Sequence, residues 1–428
     1  MNETKTNGSI KGWCPGALRP MMSGDGLLVR LRLSGGAVSL DMATKIAALA
    51  RQFGNGKINL SARGNLQLRG VSQETYPALI TALRTLNLLD LNEEAESVRN
   101  VLISPMAGLD TAALQDIRPV GKALEAEIAR NEMLWQLPSK FAFIIEDGGA
   151  FPLTDIAADI RFVAVNKTEF GLELGHEPVF FGVWGAADVP AMAAKIVRLF
   201  VETRKTLPLR HMHDLISELG NAHICAFLGC EMAQKHPAKP VQKVALYGQK
   251  SDFYGLGIAF GFFSAKQLEK LVLAAEKRGV FELRLTPWRA ILAVIPSDTS
   301  RRPFPEANGL LDEMKAAGFI TGADDPRLEV TACVGAPYCS SASVAAPQDA
   351  LQLAGLTPDL VHVSGCAKGC AHPKPARFTF TGRDGFYDLI ENGKADAAPR
   401  VSGVSPDALT QALRTRIADA EMEQSLAL

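Results

Sequence analysis

The chain has 428 residues, 47% of them hydrophobic, and a formal net charge of −1. Such a length and composition fit about three ordinary packed domains, and the near-zero charge excludes a surface built as a whole for nucleic acid. Residues 1–11 carry no apolar run of the secretory kind, no segment approaches the ~20 apolar residues of a membrane helix, and seven cysteines, four of them in two ligand-like pairs, fit the reducing cytoplasm.

In chain order, residues 1–11 read as a disordered tail. From Leu27 to Leu33 the pattern alternates, with Leu27, Val29, Leu31 and Leu33 on one face and Leu28, Arg30 and Arg32 on the other. That is a strand with an apolar and a basic side. Ser39 opens a helix through about Phe53, with Ile46, Leu49 and Ala50 on one side, and Gly54 stops it. Lys57 to Gly70 reads as a second strand containing Arg63, and Tyr76 to Leu86 as a second amphipathic helix.

This unit recurs. A gapless shift of 225 residues places Leu31 on Leu256, Leu33 on Ile258, Gly36 on Gly261, Ser39 on Ser264, Ile46 on Leu271, Gly54 on Gly279 and Ile58 on Leu283. Ser264 to Gln267 has the form of a capping box. Agreement of caps, glycines and apolar positions without a gap predicts a duplication whose halves pair about a pseudo-twofold axis.

Between the copies, Val101–Ile103, Phe141–Ile145 and Ile160–Val165 read as strands, and 111–129 and 189–200 as helices. After the second copy, 328–332 and 360–363 lead into the cysteine loops. Residues 377–380 and 385–389 read as a hairpin, and 406–420 as a helix with Ser405 at its N-cap. Polar stretches near 236–242 and 321–326 mark boundaries. The expected units are 12–92, 93–240, 241–325 and 326–428.

The chemistry concentrates late in the chain. Cys333 and Cys339 are separated by five residues, Cys366 and Cys370 by three, each pair among Gly, Pro and Ser after a β-prone run. Four thiolates suit a soft metal centre, either zinc or an iron–sulfur cluster. Paired zinc ligands usually stand two to four residues apart, so the wider pair favours the cluster. Gly335, Gly365 and Gly369 leave room for backbone amides to approach its sulfurs. Disulfides are the third alternative and depend on compartment.

Cys-x5-Cys followed by Cys-x3-Cys resembles the cluster signature of the sulfite and nitrite reductase superfamily. Trp13-Cys14-Pro15, Met22-Ser23-Gly24-Asp25-Gly26-Leu27-Leu28-Val29-Arg30 and Ser364-Gly365-Cys366-Ala367-Lys368-Gly369-Cys370-Ala371-His372-Pro373 look more specifically like the precorrin-3B synthase family, from about Gly12 to Leu413. The resemblance implies an α/β (α+β) fold: duplicated ferredoxin-like half-domains form a pseudo-twofold central domain, flanked by two α/β domains, the last holding a 4Fe-4S cluster on Cys333, Cys339, Cys366 and Cys370. It implies a cytoplasmic oxidoreductase of cobalamin biosynthesis that hydroxylates precorrin-3A with dioxygen and forms a lactone. The alternative within the superfamily is a sirohaem-dependent sulfite or nitrite reductase. A non-catalytic tetrapyrrole-binding protein that keeps the cluster for structure is a third reading.

Arg63, Arg99 and Lys140 match the basic residues that surround sirohaem in the reductases. Taken singly, each also reads as a solvated strand edge. A uroporphyrin-derived ring carries about eight carboxylates, whose burial requires fixed cations, and Arg pairs them bidentately. Arg30 and Arg32, with Arg69, Arg284 and Arg289, are further candidates because they lie on the repeated strands. The reductases carry a second Lys two positions beyond Lys140; here stands Ala142, which argues against a small oxyanion substrate.

The family is also associated with a mononuclear non-haem iron. His211, His213 and Asp214 have the residue types of a two-His–one-carboxylate set, although the same stretch reads as an ordinary helix start. His372 is a comparable outsider. Cys225 and Cys230, near His223, read as a buried inert pair, and Cys14 as structural. No dinucleotide fingerprint or P-loop occurs, so electrons from NADH are expected through a separate reductase or ferredoxin.

Overall fold

The computed structural model describes residues 14–175, 177–234, 246–296 and 307–426. The tail 1–11 and the boundary near 236–242 lie outside them.

In the first copy, strand Gly26–Leu31 buries Leu27, Val29 and Leu31 and turns Arg30 to the opposite face. Ser39 caps helix Leu40–Phe53, its Oγ accepting from the Met42 amide at 3.1 Å. The helix ends at Gly54 for a reason other than a left-handed turn. Gly54 has φ −122°, and glycine is needed because a Cβ there would lie 2.4 Å from the Arg69 carbonyl.

The stretch 57–70 is two strands, Lys57–Leu60 and Leu66–Val71. Ser61 Oγ accepts from the amides of Arg63 and Asn65 at 3.3 and 3.2 Å, closing a side-chain turn with Gly64 at φ +67°. Arg63 therefore stands on a hairpin tip and not within a strand. Helix Tyr76–Thr85 follows.

The second copy repeats these elements: Phe253–Gly257, Phe262–Ser264, helix Ala265–Glu276, Glu282–Leu285 and Ala290–Val294. Ser264 and Gln267 form the expected capping box. The copies exchange their short strands. Ala37–Ser39 pairs with Glu282–Leu285, and Phe262–Ser264 pairs with Lys57–Leu60. The registers mirror each other under the 225-residue shift: Ser39↔Glu282 answers Ser264↔Lys57, and Val38↔Leu283 answers Phe263↔Ile58. Each copy thus completes the other's five-stranded sheet. Helices Leu40–Phe53 and Ala265–Glu276 pack together over one shared apolar core. Reciprocal pairing of this kind is what a pseudo-twofold pair of half-domains requires.

Between the copies, Val101–Ile103, Phe143–Glu146 and Ile160–Ala164 run parallel, and Glu169–Leu174 and Val183–Gly185 continue the sheet antiparallel. Helices Arg118–Arg130 and Val189–Arg204 belong to the same core. The first begins later than its sequence pattern predicts, because Leu114 donates its amide to the Asp147 carbonyl (2.8 Å) and holds the preceding segment as a turn.

The last sheet joins Val330–Ala332, Val361–Ser364 and Ala376–Arg383 in parallel, then Phe386–Gly393 and Val401–Val404 antiparallel. Asp384 (φ +48°) and Gly385 (φ +86°) make the two-residue hairpin turn. Pro406–Ala408 is a 3-10 turn before helix Leu409–Leu426, and Ser405 makes no side-chain capping bond. Both cysteine loops leave the carboxyl ends of parallel strands, where such sheets open a crevice. The unit limits 92/93, 240/241 and 325/326 are our proposed division. Among the described residues, no helix is long and apolar enough to cross a membrane.

Candidate functional site

The outward face of the first copy carries a set of buried cations. Arg30 stands beside Gln67, whose amide oxygen, in the orientation that satisfies its neighbours, accepts from Arg30 Nε and Nη2 at 3.2 and 2.9 Å. Arg32, only 7% exposed, donates Nη1 to the Arg99 carbonyl at 3.0 Å and to Asn100 Oδ1 at 2.5 Å. Arg32, Arg63, Asn65, Arg99 and Asn100, with Glu125, line one narrow recess. Among the described residues, Arg32 Nε and Arg63 Nη1 are buried without a hydrogen-bond partner. Such orphaned donors are costly unless a ligand or water satisfies them.

The electrostatics agree. Burial holds Arg63 below its usual value, with Asp159 and Cys14 pulling the other way. Burial lowers Arg30 as well, opposed by Cys14 and Glu96, while Arg63 adds to the lowering. Burial, then Arg30 and Arg99, bring Arg32 down to about 10. Cations that repel one another at close range form a ready counter-charge for an anion.

The other two matched residues differ from these. Arg99 lines the recess, but its guanidinium is committed. Nε and Nη2 donate to Asp90 at 2.5 and 2.9 Å, Nη1 to Glu125 at 3.1 Å, and Nη2 also to the Arg32 carbonyl at 3.0 Å. Burial alone would lower it, yet Asp90 and Glu125 outweigh burial and leave it raised. Arg99 thus shapes the wall, with its nitrogens already paired. Lys140 is exposed. It lies on a turn held by Asn100 Nδ2, which donates to the carbonyls of Ser139 and Phe141 at 2.9 and 3.1 Å, and it is near enough to Cys370 to act on that thiol.

The two cysteine loops meet. Burial raises the Cys333 thiol, the amides of Gly365 and Gly335 pull it down, and Cys339 and Cys366 push it up. Cys370 is raised by partial desolvation, then by Cys366 and Cys339, against Lys368 and Lys140. All four thiols therefore share one neighbourhood, and all are free. Gly365 donates its amide to Cys333 Sγ at 3.1 Å. A Cβ on Gly365 would stand 2.6 Å from Ala342 Cβ and 3.4 Å from Cys333 Sγ, and one on Gly335 2.6 Å from the Ala346 amide. This is a glycine cradle that side chains would fill. Lys368 Nζ ties the loops by donating to Ser341 Oγ at 3.1 Å. His362, wholly buried beneath the second loop, has neither ring nitrogen partnered among the described residues.

Three other candidates lie elsewhere. Arg69 Nη2 and Nε bind Asp25 at 2.7 and 3.1 Å. Arg284 Nε binds Glu282 at 2.6 Å. Arg289 Nη1 reaches Thr331 Oγ1 at 3.3 Å, next to Cys333, rather than the recess.

His211, His213 and Asp214 are engaged in a helix cap and in pairwise contacts. Asp214 Oδ2 accepts from the amides of Arg210 and His211 at 2.8 and 2.9 Å, the reciprocal bond of a helix cap. His211 Nδ1 faces Asp159 at 3.1 Å and His213 Nε2 faces Asp214 at 2.9 Å. Among the described residues, no three His, Cys, Asp or Glu side chains, in this set or among the four cysteines, are drawn together at the spacing of a single ion. Cys225 and Cys230 are adjacent at a helix end, with Cys230 pushed up to about 12 by burial and by Cys225.

Sequence reasoning missed Gln67, Asn100 and Glu96. Glu96, 3% exposed, accepts from the amides of Ala17 and Leu18 at 2.7 and 3.0 Å and anchors the segment that brings Cys14 to Arg30. Gln67 stands as a polar residue between two leucines, its only sequence signal, whereas Glu96 and Asn100 lie in a polar stretch that singles out neither.

The comparisons agree with this architecture. Residues 19–86 match the nitrite/sulfite reductase ferredoxin-like half domain. The solved Mycobacterium tuberculosis NirA protein superposes with a TM-score of 0.71 at 19% identity, covering 91% of this chain and 79% of that one. A ferredoxin–nitrite reductase of Synechococcus elongatus is 25% identical, covering 84% of this chain and 76% of its own. A precorrin-3B synthase of a Sinorhizobium species is 31% identical over 407 residues, 91% of this chain and 84% of its own. With the reductases more distant in sequence than the synthase, the chain belongs to the precorrin-3B synthase family, within the nitrite/sulfite reductase superfamily.

Proposed function

We propose that the chain is a precorrin-3B synthase that binds precorrin-3A across the Arg32–Arg63 recess and the neighbouring Arg30. The observation that carries this reading is the pair of buried donors, Arg32 Nε and Arg63 Nη1, unpartnered among the described residues, in a recess whose neighbouring turn brings Lys140 to Cys370. The recess is narrow, so it would take a single carboxylate from one edge of the macrocycle, with the ring lying over its mouth. Arg63, on its hairpin tip, and Arg30 would hold acetate and propionate groups, while Arg99, already paired, keeps Arg32 in place.

In the balanced reaction, one atom of dioxygen enters the macrocycle at a meso carbon and the other leaves as water. A ring acetate closes the lactone. Two electrons and two protons come from outside the chain, from NADH through a separate reductase or ferredoxin. Cys333, Cys339, Cys366 and Cys370 would hold a 4Fe-4S cluster in the glycine cradle, and that cluster, when bound, supplies electrons singly. Ala142 supports this reading over nitrite or sulfite reduction. It is fully buried with its amide on Asp159 at 2.9 Å, where a reductase would need a second cation.

The decisive experiment is turnover of precorrin-3A under labelled dioxygen, with an absorption spectrum of the anaerobically isolated protein. Incorporation of one labelled oxygen atom and a broad cluster shoulder without a Soret band are expected. A sirohaem Soret band with nitrite or sulfite turnover would overturn the proposal in favour of a reductase.

A further inference from the structure

The Met22-Ser23-Gly24-Asp25-Gly26 motif has no place in the recess, and Arg69, which its position assigns to the basic face, does not reach it. Both are used elsewhere. Met21–Ser23 and Gly26–Leu31 form a hairpin that turns at Gly24-Asp25, with Ser23 opposite Gly26. The tip of that hairpin rests on the first cysteine loop. The carbonyl of Tyr338, the residue before Cys339, accepts three hydrogen bonds: from Ser23 Oγ at 2.6 Å, from the Gly24 amide at 3.1 Å and from Arg69 Nη2 at 2.6 Å.

We infer that Ser23, Gly24, Asp25 and Arg69 form an interdomain latch that positions the Cys339 loop against the half-domain carrying the basic recess. Four observations support it. Arg69 is 1% exposed, so water cannot replace its partners. Asp25 holds the guanidinium through both oxygens, at 2.7 and 3.1 Å, and is itself held by Asn55 Nδ2 at 2.9 Å; bidentate pairing fixes orientation as well as distance. Gly24 leaves no space, since a Cβ would stand 2.2 Å from the Pro337 carbonyl oxygen and 3.1 Å from the Cys339 carbonyl carbon. The Tyr338 ring is gripped as well, 4.8 Å from the Phe262 ring and 5.8 Å below the Arg69 guanidinium.

The latch shares its strands with the recess. Arg30 lies on Gly26–Leu31, and its partner Gln67 is two residues from Arg69 on Leu66–Val71, so Gln67 and Arg69 occupy the same face. One rigid strand pair therefore sets the position of both the substrate cations and a cysteine loop. Arg69 is a positioning residue: it touches neither the ring nor the thiols, and acts through the Tyr338 peptide.

The inference rests on the reading that the four cysteines hold a cluster, and the test separates the two. Arg69→Gln and the milder Ser23→Ala are isolated anaerobically beside the parent protein. Four properties are compared: iron and sulfide content, the electron paramagnetic resonance signal of the reduced cluster, bleaching in air, and backbone hydrogen exchange across residues 336–342. For Arg69→Gln, exchange and bleaching at least five-fold faster and an altered resonance signal are expected, with precorrin-3A affinity within two-fold of the parent. Ser23→Ala should change the same properties by about two-fold. Variants that match the parent in exchange, bleaching and resonance overturn the latch while leaving the cluster reading intact. Weakened precorrin-3A binding with an unchanged cluster also overturns it and returns Arg69 to the substrate cations. A parent protein free of iron and sulfide overturns the cluster reading, and the latch as a cluster-positioning device with it.

Discussion

The two copies turn the same strand pair outward, and the two faces are used in opposite ways. In the first copy that face carries Leu28, Arg30, Gln67 and Arg69; under the 225-residue shift the same positions in the second are Phe253, Gly255, Leu292 and Val294. Phe253, Leu292 and Val294 pack with Met106 and Phe151 in a small apolar cluster, against Leu246 and Trp288. Gly255 is required there, because a Cβ would stand 1.7 Å from the Leu246 carbonyl oxygen. One face is polar and cationic and holds Arg30, Gln67 and Arg69 in hydrogen bonds, and its duplicate is packed with the protein's own apolar side chains. The inward faces did not diverge in this way. Val29, Leu31, Leu66 and Leu68 of the first copy and Tyr254, Leu256, Ile291 and Ala293 of the second all lie in the shared core, where each residue is constrained by the other copy. Freedom to acquire a site existed only on the side that packing between the copies leaves unclaimed.

The largest test of this contrast imposes the first face on the second. Leu292→Arg, the counterpart of Gln67 made cationic, would bury an unpaired charge among Phe151 and Met106 and should destabilise the fold by about 3–5 kcal/mol, read by denaturant unfolding. A fully stable variant would mean that the plug admits water and that the faces are less different than their packing implies. Phe151→Ala should cost about 3–4 kcal/mol through the cavity it leaves, with no loss of precorrin-3A affinity; a loss would place the substrate against the plugged face.

The buried imidazole near the cysteine loops gives a test by pH. Burial, then His372 and Arg289, hold His362 down to about 4, whereas in an unfolded chain it titrates near 6.5. The folded protein keeps it neutral while the unfolded chain takes up a proton below about pH 6.5, so its contribution is complete above that pH and falls away between about 6.5 and 4. The loss should reach up to about 3 kcal/mol, and His362→Asn should flatten that part of the stability profile. An unchanged profile would show that His362 finds a partner in the folded protein that the polypeptide does not supply.

Around the recess the contrast is between a buried donor on Arg63 and the exposed Lys140 on the neighbouring turn. Arg63→Ala should weaken precorrin-3A binding by about 1.5–3 kcal/mol, the range for a charged hydrogen bond, measured by anaerobic fluorescence quenching at two salt concentrations. Lys140→Ala should weaken it less than about five-fold, and salt should erase the difference, because an exposed ion pair is screened. Equal affinities for parent and Arg63→Ala would move the tetrapyrrole away from this face.

Much of this was legible in the residues. The alternation Leu27–Val29–Leu31, the Ser39 and Ser264 caps and the shared spacing of the copies are local signals, and local signals survive in sequence because periods of 2 and 3.6 decide which side chains share a face. The cysteine spacings likewise put two loops at the ends of two strands. Misreadings arose where a local pattern had two outcomes. Ser61 to Asn65 continues a strand by composition, but the Ser61 hydroxyl turns the chain; Ser405 precedes a proline as caps do, yet a 3-10 turn intervenes.

What the amino-acid sequence alone determined about this protein was its set of elements, its duplication and its four-cysteine signature. Which arginine serves which purpose was decided only by the tertiary structure. Arg32, Arg63, Arg69 and Arg99 are equivalent as letters, and each guanidinium takes whatever acceptors the fold brings to it. For Arg99 these are Asp90 and Glu125, for Arg69 they are Asp25 and a carbonyl 269 positions away, and for Arg63 Nη1 none among the described residues. The exchange of strands between copies was hidden for the same reason, since hydrogen-bond partners of a strand are chosen by long-range geometry and leave no periodic mark on the residues that make them.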